Sequence, residues 1–201
     1  MRRTRDDTRV VVINVVIELL ESSGYDAVHV REVARRAHIS LDTLYKLFDS
    51  RDELIRSAVD QWMTENVYGR VTVPSPGTTL YDGLMDMMEA VFEPWEREPR
   101  MLEAFHRSRT GPGGALEQHG MAAMTGIAEA LARGVDPVYL RGVQEVIGLV
   151  LYALIARFGD GDIAITEILP AIERTVYQLT TQGRAETPVR RTRPRDVPEE
   201  R

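Results

Sequence analysis

Between Gly24 and Ser50 the chain carries two apolar-patterned segments, VREVARRA and LDTLYKLF, of about eight residues each with a short turn between them. Helices this short are unstable alone, because the cost of nucleating a helix is recovered only over roughly 12 residues or more. They therefore demand long helices on either side to cover their apolar faces. The sequence supplies both. From Thr8 to Ser23 the residues Val11, Val12, Val15, Val16, Leu19 and Leu20 recur at three- and four-residue spacing, and Gly24 provides a stop. Ser50-Arg51-Asp52-Glu53 reads as a capping box opening a helix that runs to about Val71. The Ile39-Ser40 step predicts a tight turn with Ser40 as N-cap of a helix over Leu41–Phe48. Val28, Val33, Ala34, Ile39, Leu44, Leu47 and Phe48 are the expected small core. This is a helix-turn-helix, whose second helix is short enough to enter a DNA major groove.

The rest of the chain is also helical in period. Pro74-Ser75-Pro76-Gly77 breaks it, and amphipathic helices are expected over 79–95 and 99–110. After Gly111-Pro112-Gly113-Gly114 comes a helix over 115–133, and Asp136-Pro137 then opens one to about Phe158. A last helix covers 165–182, with Pro170 either kinking it or lying just inside its start. The expected fold is all-α with about nine helices. Residues 1–55 are expected to form the helix-turn-helix part, and 56–184 a second, helical part. Residues 185–201, rich in Pro and Arg, are expected to be a disordered tail.

Charge sets where nucleic acid can lie. The net charge is −6, but residues 1–60 carry 10 basic and 11 acidic side chains against 10 and 16 over residues 61–184. A nearly neutral N-terminal part thus precedes an acidic body that need not touch DNA. Cysteine is absent, which excludes disulfides, thiolate zinc sites and thiol nucleophiles. His29, His38, His106 and His119 lack partners at metal-binding or triad spacing. No catalytic residue, metal or cofactor is expected. No stretch reads as the roughly 20 apolar residues of a membrane span, so a soluble cytoplasmic protein is expected.

The residues Gly24-Tyr25, Val30-Arg31-Glu32-Val33-Ala34, Ile39-Ser40, Thr43-Leu44-Tyr45, Phe48 and Ser50-Arg51-Asp52-Glu53 resemble the DNA-binding signature of the TetR family of bacterial one-component regulators. The match covers about 30 contiguous residues. The chain departs from that pattern at His29, where a capping Ser or Thr is usual, at Asp42, where Gly or Ala is common, and at Leu47, where an aromatic is common. The resemblance implies groove or phosphate contacts from Arg31, Ser40, Leu41, Asp42, Thr43, Tyr45, Lys46 and Arg51 on a double-stranded operator. Lys46, the single lysine, suits phosphate, and Arg51 at a helix start suits it too. Asp42 reads either as a favourable charge in a first turn or as an acceptor for a cytosine amino group. Arg2, Arg3 and Arg5 read as a minor-groove arm or as a solvated tail.

Specific reading by one short helix requires two copies. Val146 to Ala156 is apolar on all sides, and Ile165, Ile168, Leu169, Ile172, Val176 and Leu179 give the last helix a stripe. The resemblance implies a homodimer through helices 137–158 and 165–182, and an ordinary monomer core is the plainer alternative. Met85, Met87, Met88, Met101, Met121 and Met124 cluster with Phe92, Trp95 and Phe105. Such a set is either core or an adaptable apolar cavity. With Tyr152, the residues Met85, Met88, Phe92, Trp95, Met101, Phe105, Met121 and Met124 are the candidate contacts of a hydrophobic small-molecule effector. Helix layout over 80–182 resembles repressors of steroid and fatty-acid breakdown in actinobacteria, which implies a steroid- or acyl-CoA-like effector. Arg107 and Arg109 read as gate residues for its carboxylate or phosphates, or as a solvated helix end.

Overall fold

The computed structural model describes residues 4–75, 77–109, 131 and 135–182. Among these there are eight α-helices and no strand: α1 Arg5–Ser23, α2 Val30–Arg36, α3 Leu41–Tyr45, α4 Arg51–Asn66, α5 Leu80–Arg97, α6 Pro99–Arg109, α7 Pro137–Gly159 and α8 Ile168–Gln182. The helix expected over 115–133 lies outside the described residues, apart from the helical Leu131.

Local chemistry sets most boundaries. α1 starts one turn before the expected Thr8, because Thr4 accepts from the Asp7 amide while the Asp7 carboxylate accepts from the Thr4 amide. This reciprocal box satisfies two amide donors at the helix start. α4 stops at Asn66 rather than Val71, and a 3₁₀ turn follows over Tyr68–Arg70. α5 runs to Arg97, two residues past the expected end, with Pro94 inside its last turns. Pro170 falls in the first turn of α8, where its missing N–H leaves no bond unmade, so no kink is needed.

α1 packs along α4, α6 lies on α4 and α7, and α5 and α7 both pack on α8. The apolar cluster is continuous, running from Val12, Val16 and Leu20 through Leu44, Phe48 and Leu54 to Met88, Trp95, Met101, Ile147 and Ile172. At its waist Trp62 of α4 meets Trp95 of α5 at a tilt, and Trp95 meets Phe105 of α6 edge-on, with centroid separations of 4.8 and 5.4 Å. Trp62 also donates its indole N–H to the Glu21 carboxylate at 3.0 Å, which satisfies a buried donor. α6 and α7 approach closely where α7 ends. A Cβ on Gly159 would stand 2.4 Å from His106 Cδ2, so this contact admits only glycine without a shift.

α7 departs from one expectation. It is long and apolar enough to cross a membrane, with a mean hydropathy of 1.5. Only Leu140, Val143 and Ile147 are buried, while Val138, Val146, Leu149 and Tyr152 are exposed. Its apolarity therefore has two sources, a stripe packed on its own chain and a second stripe that faces outward.

Candidate nucleic-acid interface and its connection to the body

α2 and α3 meet through a turn built on one left-handed residue. His38 has φ 55°, its amide donates to Arg35 O, and the Ile39 amide donates to Ala34 O at 3.0 Å. This pair of bonds is the Schellman closure of α2, with His38 at the position that glycine usually fills. A side chain there carries a steric cost of about 1 kcal/mol. His38→Gly is accordingly expected to raise the thermal midpoint, with the gain offset in part by the freer unfolded chain; a melt followed by circular dichroism reads it.

α3 is shorter than the expected 41–48. It is α-helical to Tyr45 and continues as a turn in which Leu47 and Phe48 donate to Leu44 O. Ser40 caps it, accepting from the Thr43 amide at 3.1 Å. Leu44 and Phe48 are buried and anchor the helix, which leaves Ser40, Leu41, Asp42, Tyr45 and Lys46 exposed and Thr43 half-buried. Tyr45 is 52% exposed, far too open for a packing residue. Thr43 Oγ1 lies 2.9 Å from Ser40 Oγ, so the two hydroxyls share a bond. Asp42 and Lys46 are joined to each other, Nζ to Oδ2 at 2.7 Å. Arg31 is exposed on α2.

Arg51 is placed differently from the phosphate-facing position expected of it. Its Nε donates to Val28 O and its Nη2 to Tyr25 O, both at 2.6 Å, and its guanidinium lies 4.5 Å from the Tyr25 ring centroid. It ties the start of α4 to the α1–α2 connection, because that irregular segment leaves carbonyls that need donors. Glu53 also differs slightly. Its amide donates to Ser50 Oγ as expected, but its carboxylate accepts from Asp49 N rather than from the cap residue. His29 makes no side-chain cap to α2, in keeping with its departure from the usual Ser or Thr.

Two supporting residues escape a sequence reading. Arg5 donates to Lys46 O at 3.0 Å, and Arg9 donates to Leu47 O at 2.9 Å while covering the Phe48 ring at 4.3 Å. Both satisfy carbonyls at the end of α3, where a cation is also favoured by the helix dipole. The signal was present as arginines one turn apart on α1, but nothing in the pattern says which carbonyls they meet. Arg5 thus belongs to a helix and not to a free arm, while Arg2 and Arg3 lie outside the described residues.

On α2, Arg35 and Arg36 both bind Glu32, at 2.7–2.9 Å, and these bonds, chiefly that from Arg35, hold the Glu32 carboxyl down at about 2. A depressed folded value means that this cluster's support is complete above about 4.5 and is lost as pH falls toward 2. The Glu32 side-chain carbon resonance should therefore titrate near 2, and a midpoint in the ordinary glutamate range would contradict the cluster.

α6 holds the helix-turn-helix at two points. Arg100 donates to Glu21 O and Ser22 O at 2.9 and 2.5 Å, serving the C-terminus of α1, whose last turn has no basic residue of its own. Arg107 grips Asp26 with both nitrogens, at 2.7 and 3.0 Å, and lies 4.1 Å from the Tyr25 ring centroid. That bidentate bond draws the Asp26 carboxyl below its usual range. Arg107 is therefore neither a gate nor a solvated end; it is a link from body to module. The side chain of Arg109 lies outside the described residues.

The candidate effector contacts divide. Met85, Met88, Phe92, Trp95 and Met101 are buried together in the core and Phe105 is half-buried beside them. Met121 and Met124 lie outside the described residues. Tyr152 does not join this group. It is 70% exposed on the outer stripe of α7 because it falls on the face opposite Val143 and Ile147. A cleft does occur where α5 meets α8, but it is lined by Asp86, Glu89, Glu93 and Glu96 with Ala90 and Leu169, not by methionines.

Residues 12–58 match the family model for "Bacterial regulatory proteins, tetR family", and residues 77–179, about half of the chain, match "Tetracyclin repressor-like, C-terminal domain". The chain belongs to the TetR family. Both matched models describe bacterial regulatory proteins of this family. The HTH-type transcriptional repressor KstR of Rhodococcus jostii is 29% identical over 97 residues, which cover 48% of this chain and 45% of that protein. KstR of Mycolicibacterium smegmatis is 28% identical over 97 residues, covering 48% of each. The chain thus spans about half the length of the curated relatives it matches. Among solved structures, a TetR regulator from Rhodococcus sp. RHA1 shares the fold with a TM-score of 0.64 at 19% identity, over 88% of this chain and 97% of that one. BioQ, solved with its double-stranded DNA operator, superposes with a TM-score of 0.57 at 16% identity, over 92% of this chain and all of BioQ.

Proposed function

We propose that this TetR-family chain is a cytoplasmic repressor that binds a palindromic operator as a homodimer and is released by a hydrophobic small molecule. The observation that carries the DNA reading is α3 itself. Its buried Leu44 and the following Phe48 fix it to the core, and Ser40, Leu41, Asp42, Tyr45 and Lys46 remain exposed in one short helix. With Thr43 and the neighbouring Arg31 they form the proposed contact set, while Arg51 acts behind them as a positioning residue. Residues 1–55 are the proposed DNA-binding part and 56–184 the regulatory part, α4 belonging to both because it spans their boundary. The outer stripe of α7, together with Tyr177 of α8, is the proposed dimer face. Tyr152 belongs there.

The proposed effector room is the methionine-rich core between α5 and α6. Met side chains re-pack around a guest, and α6 next to them carries the two arginines that hold the DNA module. A ligand preferring one position of α6 would bias the spacing of the two α3 helices, and its leverage equals its differential affinity for the two geometries. The close burial of Met85, Met88 and Met101 favours a second reading, a DNA-binding regulator without a small effector. Operator titration with and without steroid and acyl-CoA ligands separates the two: lowered operator affinity supports release, and tight ligand binding with unchanged operator affinity rules it out. In the same assay Tyr45→Ala should weaken operator binding about 10- to 100-fold, the scale of one lost base contact. A fully folded Tyr45→Ala that binds as well as the parent would contradict the assignment of α3.

A further inference from the structure

We propose that Asp42 is a specificity-determining residue, which withholds the only lysine of the chain from bare phosphate. The inference rests on α3 being the DNA-contacting helix. Asp42 and Lys46 lie one turn apart on its exposed side, and their side chains meet at 2.7 Å while remaining 75% and 72% exposed. Lys46 is the C-cap residue of α3 and the one basic residue between Ser40 and Phe48. The face that α3 offers is therefore neutral in sum.

Affinity for DNA of any sequence comes from releasing counterions as protein cations neutralise phosphates. A lysine held against a carboxylate releases none in net terms, because neutralising a phosphate uncovers Asp42 beside the next one. Non-specific attachment through α3 is thereby suppressed. At a correct site the balance differs. A cytosine or adenine amino group in the major groove can give the Asp42 carboxylate a new donor, which frees Lys46 for phosphate or for a guanine edge. Asp42 thus couples the electrostatic contact to the presence of the right base.

The test uses the full chain and a fluorescein-labelled duplex of scrambled sequence, titrated by anisotropy across a salt series. Asp42→Asn is expected to steepen the slope of log affinity against log salt by about 0.9 per engaged protomer and to raise affinity about 5- to 10-fold per protomer at 0.1 M salt. The preference for operator over scrambled duplex should fall accordingly. A purely structural role for Asp42 predicts the opposite sign, since a loosened α3 binds DNA less well. Asp160→Asn, the same charge change beyond the end of α7, should leave the slope in place. An unchanged slope in Asp42→Asn, or an equal change in Asp160→Asn, overturns the inference while leaving the DNA reading intact. Absence of salt-dependent binding by the parent chain to any duplex overturns both.

Discussion

Leu149→Asp is expected to leave a folded monomer that binds operator at least 100-fold more weakly than the parent chain. Leu149 is 71% exposed in the single chain, and Val138, Val146 and Tyr152 lie with it along α7. Gly142 and Gly148 sit in the same helix with nothing within 4 Å of a would-be Cβ, so the outer side is open to a close neighbour. Among the described residues Leu149 is no part of the apolar cluster, and stability of the single chain should stay within about 0.5 kcal/mol, as for other surface changes. In a dimer each copy would bring a carboxylate into a dry apolar face, a penalty of several kcal/mol. Sedimentation or light scattering reads the mass, and duplex titration reads the affinity. A variant that remains dimeric would move the interface away from α7.

Phe48→Ala should cost about 3–5 kcal/mol, the range for removing a fully buried aromatic ring. Phe48 is 1% exposed and joins α3 to the core beneath α1 and α4, and its ring also supports the Arg9 guanidinium that serves Leu47 O. One change thus opens a cavity and loosens the end of the recognition helix. Against a total stability of about 5–15 kcal/mol this is a large fraction, so the thermal midpoint and operator binding should both fall steeply. Loss of binding with an unchanged midpoint would contradict a packing role and place Phe48 at the DNA surface.

The helix-turn-helix was the most legible part of the sequence, because periodicity and capping are local signals. Ser40, Ser50 and Gly24 stand at their expected ends, and the small core predicted from Val28 to Phe48 is buried apart from the half-buried Ile39. What escaped were the long-range polar contacts. Arg51 has the composition and position of a phosphate ligand, yet the carbonyls of Tyr25 and Val28 claim it, and no spacing rule announces a partner 23 or 26 residues away. Arg107 reaches Asp26 across 81 residues for the same reason. Tyr152 was misplaced because an all-apolar helix does not reveal which of its stripes faces its own chain. α1 started early for a local reason that was readable, the Thr4-x-x-Asp7 box.

One measurement bears most directly on the central account, selection of bound duplexes from a random library by the full chain. The account predicts enrichment of a palindrome whose half-sites lie about one helical turn, roughly 34–36 Å, or a multiple of it apart. It also predicts that Tyr45→Ala, folded and dimeric, loses that enrichment. Failure to enrich any duplex, or recovery of the same palindrome by Tyr45→Ala, would contradict it.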